Sequence, residues 1–480
     1  MELTKMLPNF LKLLFKKPDK QANVDLRRNF RRLLWLMIRQ GEWEEVLNRR
    51  AYVELRWIRR LAEHGNWKRI KWNKIEFNKI ETIVGGQTDI VAATLRTVRD
   101  WAAGVKLPLL EAGDVEEIPF KSPHVFGSPP STEITFALSN KPYVAEIPNA
   151  RIFSNSSIIL TSDGSALSDT GAHPRFGHCV SFIYEAILLY QQSNKVLLHF
   201  SKFKTREIEA GIFLSGLASN YYGHWLPEFL PKLQFLQQHP DFAHLPIIVD
   251  AGMPQSHFEH LRRLCSNPLI LLQSNESLLC RRLLAAPSPT FFPTEFLPHN
   301  IPLHEIPGLS LRAMRFLRGN ETFDNSKPRD KRLFLVRKNM KWRRLLNEDE
   351  VAADLKTLGF DTVFMEEMTV EKQIDLFQQA QWIVAPNGSA LLNLIFADPE
   401  SVKLLILTQP NLFNWGTFQG PMDTLGYQSM CVTGDHAVAE DQKHSDYHVS
   451  VKKIRQALSF MGMTEATNGA NTYENSDATE

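Results

Sequence analysis

Between residues 331 and 408, four short apolar runs alternate with three helical patterns, an order that few folds accept. The runs are RLFLV (332–336), DTVFM (361–365), QWIVAP (381–386) and KLLILT (403–408). Between them lie NEDEVAADLKTLG, TVEKQIDLFQQA and NGSALLNLIFA; the first opens with acidic residues, as suits a helix N-terminus, and closes on a glycine stop. Strands buried on both faces read as unbroken apolar runs, and short strand-to-helix connections call for a parallel sheet covered by helices. The expectation here is a Rossmann-like unit in an α/β fold.

A looser alternation precedes it. KVLLHF, AGIFLSG, LPIIVDAG and LLCRRLLAAP are strand candidates between about 196 and 290, with SNYYGHWLPEFLPKLQFLQQ and SHFEHLRRLC as the helices between them. At 480 residues the chain is longer than one core usually organises, so two or three domains are expected. Residues 106–150 are Pro-rich and suit an extended lead-in, and Asp163-Gly164 after an apolar run signals a hairpin. Residues 25–105 read as helices from three-and-four apolar spacing through Leu33, Leu34, Met37 and Ile38. The predicted boundaries are a basic helical region over 1–110, a first lobe over 111–310, a Rossmann-like second lobe over 311–462, and a disordered tail over 463–480.

Charge is distributed unevenly. The first 80 residues hold 20 Lys and Arg against 9 Asp and Glu, while the whole chain carries only +2. Such a segment suits an anionic neighbour, with a membrane surface ahead of nucleic acid because its tryptophans sit at packing positions. A solvated basic face on a helical bundle is the plainer alternative. No apolar run reaches the roughly 18 residues that span a bilayer, and the four widely spaced cysteines suit a reduced compartment. A cytoplasmic protein is expected, with peripheral contact at the inner face of the membrane as the role for the basic segment.

Chemistry in an open parallel sheet collects outside the carboxyl ends of its strands. After the first run stands RKNMKWRR, which places Arg337, Lys338, Lys341, Arg343 and Arg344 at that edge, where guanidinium groups and an ammonium can grip a diphosphate. After the third stands Asn387-Gly388-Ser389, a turn opening a helix whose free amides favour anions. After the second, Glu366 could take sugar or ribose hydroxyls. In the first half, His224 and Glu228 lie four apart, so on one helix they share a face and can exchange a proton with a substrate. P-loop, HExxH, CxxC and GxSxG patterns are absent, which removes the usual kinase, zinc protease and serine hydrolase routes.

NYYGHWLPEFLPKL and the whole stretch from RLFLVRKNMKWRR to KLLIL resemble glycosyltransferase family 61, over roughly residues 150–430. The resemblance implies a GT-B-like α/β fold with two Rossmann-like lobes facing a cleft, beside the N-terminal helical appendage. It further implies inverting transfer from a nucleotide sugar to a glycan or lipid-linked glycan acceptor, with no obligatory metal. Bacterial relatives build capsular and other surface polysaccharides, and this chain looks more like that kind. By position, His224, Trp225 and Glu228 match the family's HWLxE element, Arg337 and Arg344 its basic loop, Asn347 and Glu348 its NE pair, and Gly388 and Asn393 its HGAGLTN turn and helix. Two departures stand out: the family's His-Gly-Ala reads Asn387-Gly388-Ser389, and no carboxylate stands near Leu405 or Ile406. His224 or Glu228 is then the expected base, and Arg337, Lys338, Arg344, Glu366, Asn387, Gly388, Ser389 and Asn393 the donor-binding set. The rival class is a scaffold or binding module that kept the fold without the chemistry.

Overall fold

The computed structural model describes residues 90–463, apart from 174, 176, 179–184, 193, 201, 291–301, 307, 320–322, 324–327, 339–342, 411–415 and 438–444. The expectations for residues 1–89 and for the tail beyond 463 lie outside the described residues.

The C-terminal sheet has five parallel strands, Lys331–Val336, Asp361–Phe364, Ala380–Pro386, Lys403–Thr408 and Gln428–Thr433, in the spatial order second, first, third, fourth, fifth. Successive residues of each run enter opposite faces, and both faces are covered. Leu333, Leu335, Ile383, Leu404 and Ile406 pack against Val370, Ile374 and Phe377 of the helix Val370–Gln378. Phe334, Val336, Val384, Leu405 and Leu407 pack against Val351 and Leu355 of Glu348–Thr357, and against Ile454 and Leu458 of Val451–Phe460. Double coverage is why these runs show no polar alternation, and each fully buried Leu or Phe contributes roughly 1.5–3 kcal/mol. Gly359 sits just past the first helix at φ +80°, the left-handed stop that its position in the sequence predicts. The fifth strand was not among the expected ones.

Among the described residues, the N-terminal sheet has eleven strands and is mixed. Its parallel section is Glu276–Ala285, Lys204–Phe213, Ile247–Asp250 and Leu269–Leu272, side by side in that order. Tyr143–Phe153 pairs antiparallel with Glu276–Ala285 and extends the sheet. The turn at Gly164, φ +81°, joins Ile159–Leu160 to Ala166–Leu167 as the expected hairpin. One expectation is corrected. Residues 90–96, read as part of a helical region, form the strand Ile90–Arg96, paired with Lys195–His199 on one side and Ala166–Leu167 on the other. Ile90, Val91 and Thr94 are β-branched, and partners more than seventy residues away supply hydrogen bonds that local spacing does not reveal. Only the following segment, Val98–Val105, is helical, with Thr97 accepting from the Asp100 amide at its N-terminus.

The two sheets are joined by a shared core. Leu226, Phe229 and Leu233 of the first half belong to the same buried cluster as Leu391, Leu394 and Phe396 of the second. The lead-in also crosses over: the Phe126 amide donates to the Cys431 carbonyl at 2.9 Å and the Cys431 amide to the His124 carbonyl at 2.7 Å, so this strap flanks the fifth C-terminal strand. The hairpin Glu117–Lys121 and Ile134–Leu138 rests on the helix Gly416–Thr424, where a Cβ on Gly420 would lie 2.5 Å from the Pro119 carbonyl oxygen.

Candidate functional site

The segment that carries His224 is a broken helix. Tyr222–His224 is one α turn, Trp225–Phe229 a π turn, Leu230–Lys232 a 3-10 turn and Leu233–Leu236 α again. Pro227 and Pro231 have no N–H to offer, and the Leu230 amide reaches back five residues to the Trp225 carbonyl, which widens the turn between them. The expected continuous helix is thus interrupted by its own prolines. The four-residue spacing still brings the pair together: His224 Nδ1 lies 2.6 Å from Glu228 Oε2, both half-buried. Burial alone would lower the imidazole's pKa, but the Glu228 charge and hydrogen bond outweigh it and hold it above the ordinary histidine value. With Nδ1 committed, Nε2 is the nitrogen left to exchange a proton.

The loop before this turn is anchored from below. Asp250, buried at the carboxyl end of Ile247–Asp250, accepts from Ser215 Oγ at 2.5 Å, Ser219 Oγ at 2.7 Å and the Asn155 amide at 2.8 Å. Sequence reading passed over Asp250; its place at a strand's carboxyl end, in VDAG, was the available signal. Four residues after Glu228, Lys232 continues the stripe. Burial lowers its pKa while the charges of Asp169 and Glu228 pull it back up.

In the C-terminal sheet, the order second-first-third makes a switch point between the first and third strands, where the chain leaves in opposite directions, the place at which open α/β sheets bind their ligands. Arg337 follows the first strand and Asn387-Gly388-Ser389 the third. Arg337 Nη2 donates to the Arg343 carbonyl at 2.7 Å and Nη1 to the Asn387 carbonyl at 3.4 Å, so one guanidinium spans both loops. Gly388 is extended, at φ −177°, and a residue of any kind could adopt that backbone. Space is the constraint instead, because a Cβ there would stand 3.0 Å from Arg337 Nη1. The expected α-helix after this turn is a 3-10 helix, Ser389–Phe396, and no side chain caps it.

The other expected donor-site cations are differently employed. Arg344 is exposed and forks onto Asp446 at 2.6 and 3.0 Å, while its own amide bonds the same carboxylate. Lys338 pairs with Glu367 and lies 4.5 Å above the Phe364 ring. Arg343, at φ +55°, pairs with no carboxylate among the described residues; burial and the neighbouring Arg337 charge both lower its pKa. The two guanidinium groups, Arg337 and Arg343, concentrate positive charge beside the Asn387–Ser389 turn. Glu348 stands nearby, raised by burial against the pull of Arg337 and further raised by Asp349 and Glu366. Glu366 is exposed at the carboxyl end of the second strand. Among the described residues, no three His, Cys, Asp or Glu side chains converge as metal ligands.

The two sets of residues meet. A Cβ on Gly223 would lie 3.2 Å from Ser389 Cβ, so the turn bearing His224 touches the turn bearing Gly388. Tyr222 Oη donates to Asn393 Oδ1 at 2.6 Å, and the Glu259 carboxylate accepts from the Val370 amide at 2.8 Å. Asn393 is only 1% exposed, and its Nδ2 donates to Gln373 Oε1 at 3.1 Å, so both ends of its amide are occupied.

Residues 222–404 match the family model described as Glycosyltransferase 61, from Tyr222 to the fourth C-terminal strand. That span takes in His224, Glu228, Arg337, Gly388 and Asn393, and it supports a glycosyltransferase. A comparison with curated proteins found no match. No helix among the described residues is long and apolar enough to cross a membrane.

Proposed function

We propose that the chain is an inverting glycosyltransferase of GT-B type, carrying a sugar from a nucleoside diphosphate to a glycan or lipid-linked glycan hydroxyl in surface polysaccharide synthesis. The observation that carries the reading is the contact between the two turns: the His224–Glu228 pair stands against the switch point where Arg337 and Gly388 meet. The acceptor oxygen attacks the anomeric carbon from the His224 side. Its proton passes to His224 Nε2, the bond from that carbon to the diphosphate breaks, and the diphosphate leaves with the electron pair. Glu228 holds the ring by Nδ1 and stabilises the imidazolium as it forms.

Arg337 and Arg343 neutralise the departing phosphates, and the amides of Gly388 and Ser389 add fixed donors beside Asn387. Glu366, at the end of the second strand, suits ribose hydroxyls as carboxylates do in other doubly wound sheets. Lys338 and Arg344 shape the loop through their ion pairs, and Asn393 holds the turn. Charge on the leaving group is met by these side chains, so the reaction needs no metal. The basic N-terminal segment would hold the enzyme at an anionic membrane surface, near lipid-linked acceptors.

Calorimetry with UDP, GDP, CDP and dTDP tests the reading. Micromolar binding of one nucleotide, lost in Arg337→Ala, supports it; silence across the panel from a folded protein would leave a scaffold that kept the fold alone.

A further inference from the structure

A buried chain of hydrogen bonds runs between the two halves, directly beneath the touching turns. It begins at His260, 1% exposed on the helix Gln255–Leu264, whose Nε2 lies 3.0 Å from Tyr222 Oη. Tyr222 spends its single proton on Asn393 Oδ1, so the imidazole must be the donor in the first bond and carries its hydrogen on Nε2. Asn393 passes the direction on to Gln373 Oε1, and Gln373 Nε2 ends it on the carbonyls of Met365 at 2.9 Å and Met368 at 3.2 Å. Every link has one orientation, and each member satisfies the next. The ring of His260 also lies parallel to Phe396, 6.0 Å between centroids, so the crossing is packed as well as bonded.

The placement of this chain is informative. Tyr222 is two residues before His224, and Asn393 is one turn of 3-10 helix beyond the Gly388–Ser389 turn. Resting on the reading above, we infer that Tyr222 is a positioning residue: its hydroxyl latches Asn393 and so sets the spacing between the His224 turn and the Gly388 turn. Neither group touches substrate. Near-attack geometry tolerates little error, and the Tyr222–Asn393 bond ties the His224 turn directly to the helix that follows the Gly388 turn. A latch through one hydroxyl also permits two states, closed with the bond made and open with both ends hydrated.

The experiment needs no known substrate. In the full chain, Gly223→Cys and Ser389→Cys together place two Cβ atoms close to the separation of about 3.5–4.5 Å that a disulfide requires. Mild oxidation followed by non-reducing electrophoresis reads the rate of crosslinking, with each single cysteine variant as control. Rapid crosslinking is expected with Tyr222 present, at least tenfold slower in Tyr222→Phe at matched fraction folded. Tyr222→Phe leaves the Asn393 acceptor and the His260 Nε2 donor unsatisfied, and Asn393→Leu leaves the Tyr222 hydroxyl and Gln373 Oε1 unsatisfied, so both variants are destabilised. If the bond positions the turns, crosslinking is slow in Asn393→Leu too, which cuts the same bond from the other side, and stays rapid in Gly420→Ala, which destabilises the protein at a different contact. A rate unchanged in Tyr222→Phe or Asn393→Leu at matched fraction folded, or slowed as much in Gly420→Ala, would overturn the latch. Normal latch behaviour with no nucleotide bound would instead sink the proposed reaction, so the two failures are distinguishable.

Discussion

His224 Nδ1 and Glu228 Oε2 are 2.6 Å apart across a π turn that two prolines force open. The pair ties the proton affinity of the imidazole to a neighbouring carboxylate, and several measurable consequences follow from that and from the geometry around it.

Replacing Glu228 by Gln removes the negative charge that helps hold the His224 pKa up, leaving at most a neutral amide acceptor, and leaves the burial that pushes it down. The imidazole should therefore titrate at lower pH in Glu228→Gln, as followed by NMR of ring-labelled histidine. A histidine raised on folding stabilises fully below its unfolded value near 6.5, and that contribution fades as pH rises through the folded value. Denaturant titrations between pH 5.5 and 8.5 should show the advantage of the unmodified protein over Glu228→Gln shrinking toward the alkaline end. An advantage that grew with pH would contradict the pairing. Transfer activity in His224→Ala should fall by about 10²- to 10⁴-fold, the usual range for a general base.

Arg337→Ala and Arg344→Ala separate function from fold at one loop. Arg337 gives up hydrogen bonds worth about 1 kcal/mol each, and with them the charge that spans both loops. Nucleotide affinity should drop at least tenfold while the protein stays folded. Arg344 is committed to Asp446, and its loss should change affinity less than threefold. Equal losses from the two variants would remove Arg337 from its assigned place.

Two glycines should respond oppositely to alanine. At Gly388 the new methyl meets the far end of the Arg337 side chain at 3.0 Å, and the guanidinium can swing aside. Melting temperature should barely move, yet nucleotide affinity should fall several-fold if the displaced Arg337 binds the phosphates as proposed. At Gly420 the methyl meets the Pro119 backbone at 2.5 Å, which has no such freedom. Gly420→Ala should cost about 1–3 kcal/mol by thermal or chemical denaturation.

His257 is fully buried with both ring nitrogens unpartnered, between Tyr222 at 5.9 Å and Trp225 at 5.4 Å. Burial pulls its pKa down to about 4. The unfolded chain binds the proton first, so stability is complete above about pH 6.5 and is lost progressively as pH falls toward 4, by up to about 3 kcal/mol. His257→Phe keeps the ring and removes the proton site. It should flatten the acid limb of the stability curve and leave neutral stability equal or higher; an unchanged acid limb would acquit His257.

The C-terminal sheet was legible because its information is local. Leu333 to Val336 and Leu404 to Leu407 are buried on both faces, so each run is apolar throughout, and each helix between them carries its own start or stop. His224 and Glu228 were legible for a similar reason, since a spacing of four survives even when the helix is a π turn. The strand Ile90–Arg96 was not, because its identity depends on Lys195–His199, and a short, mostly apolar stretch suits a helix as well until its partner is known. The basic loop gave its charges and withheld their assignments: Arg344 faces Asp446 and Lys338 faces Glu367, contacts about 100 and 29 residues apart in the chain.

Residue order alone thus determined the alternating second half, the ends of its helices and the shared face of His224 and Glu228, since each depends on neighbours within a few positions. Tertiary structure decided which strand stands beside which, which arginine remains without a carboxylate, and that Tyr222 meets Asn393. Those outcomes depend on distances between remote segments, and such distances exist only once the buried core has drawn the two sheets together.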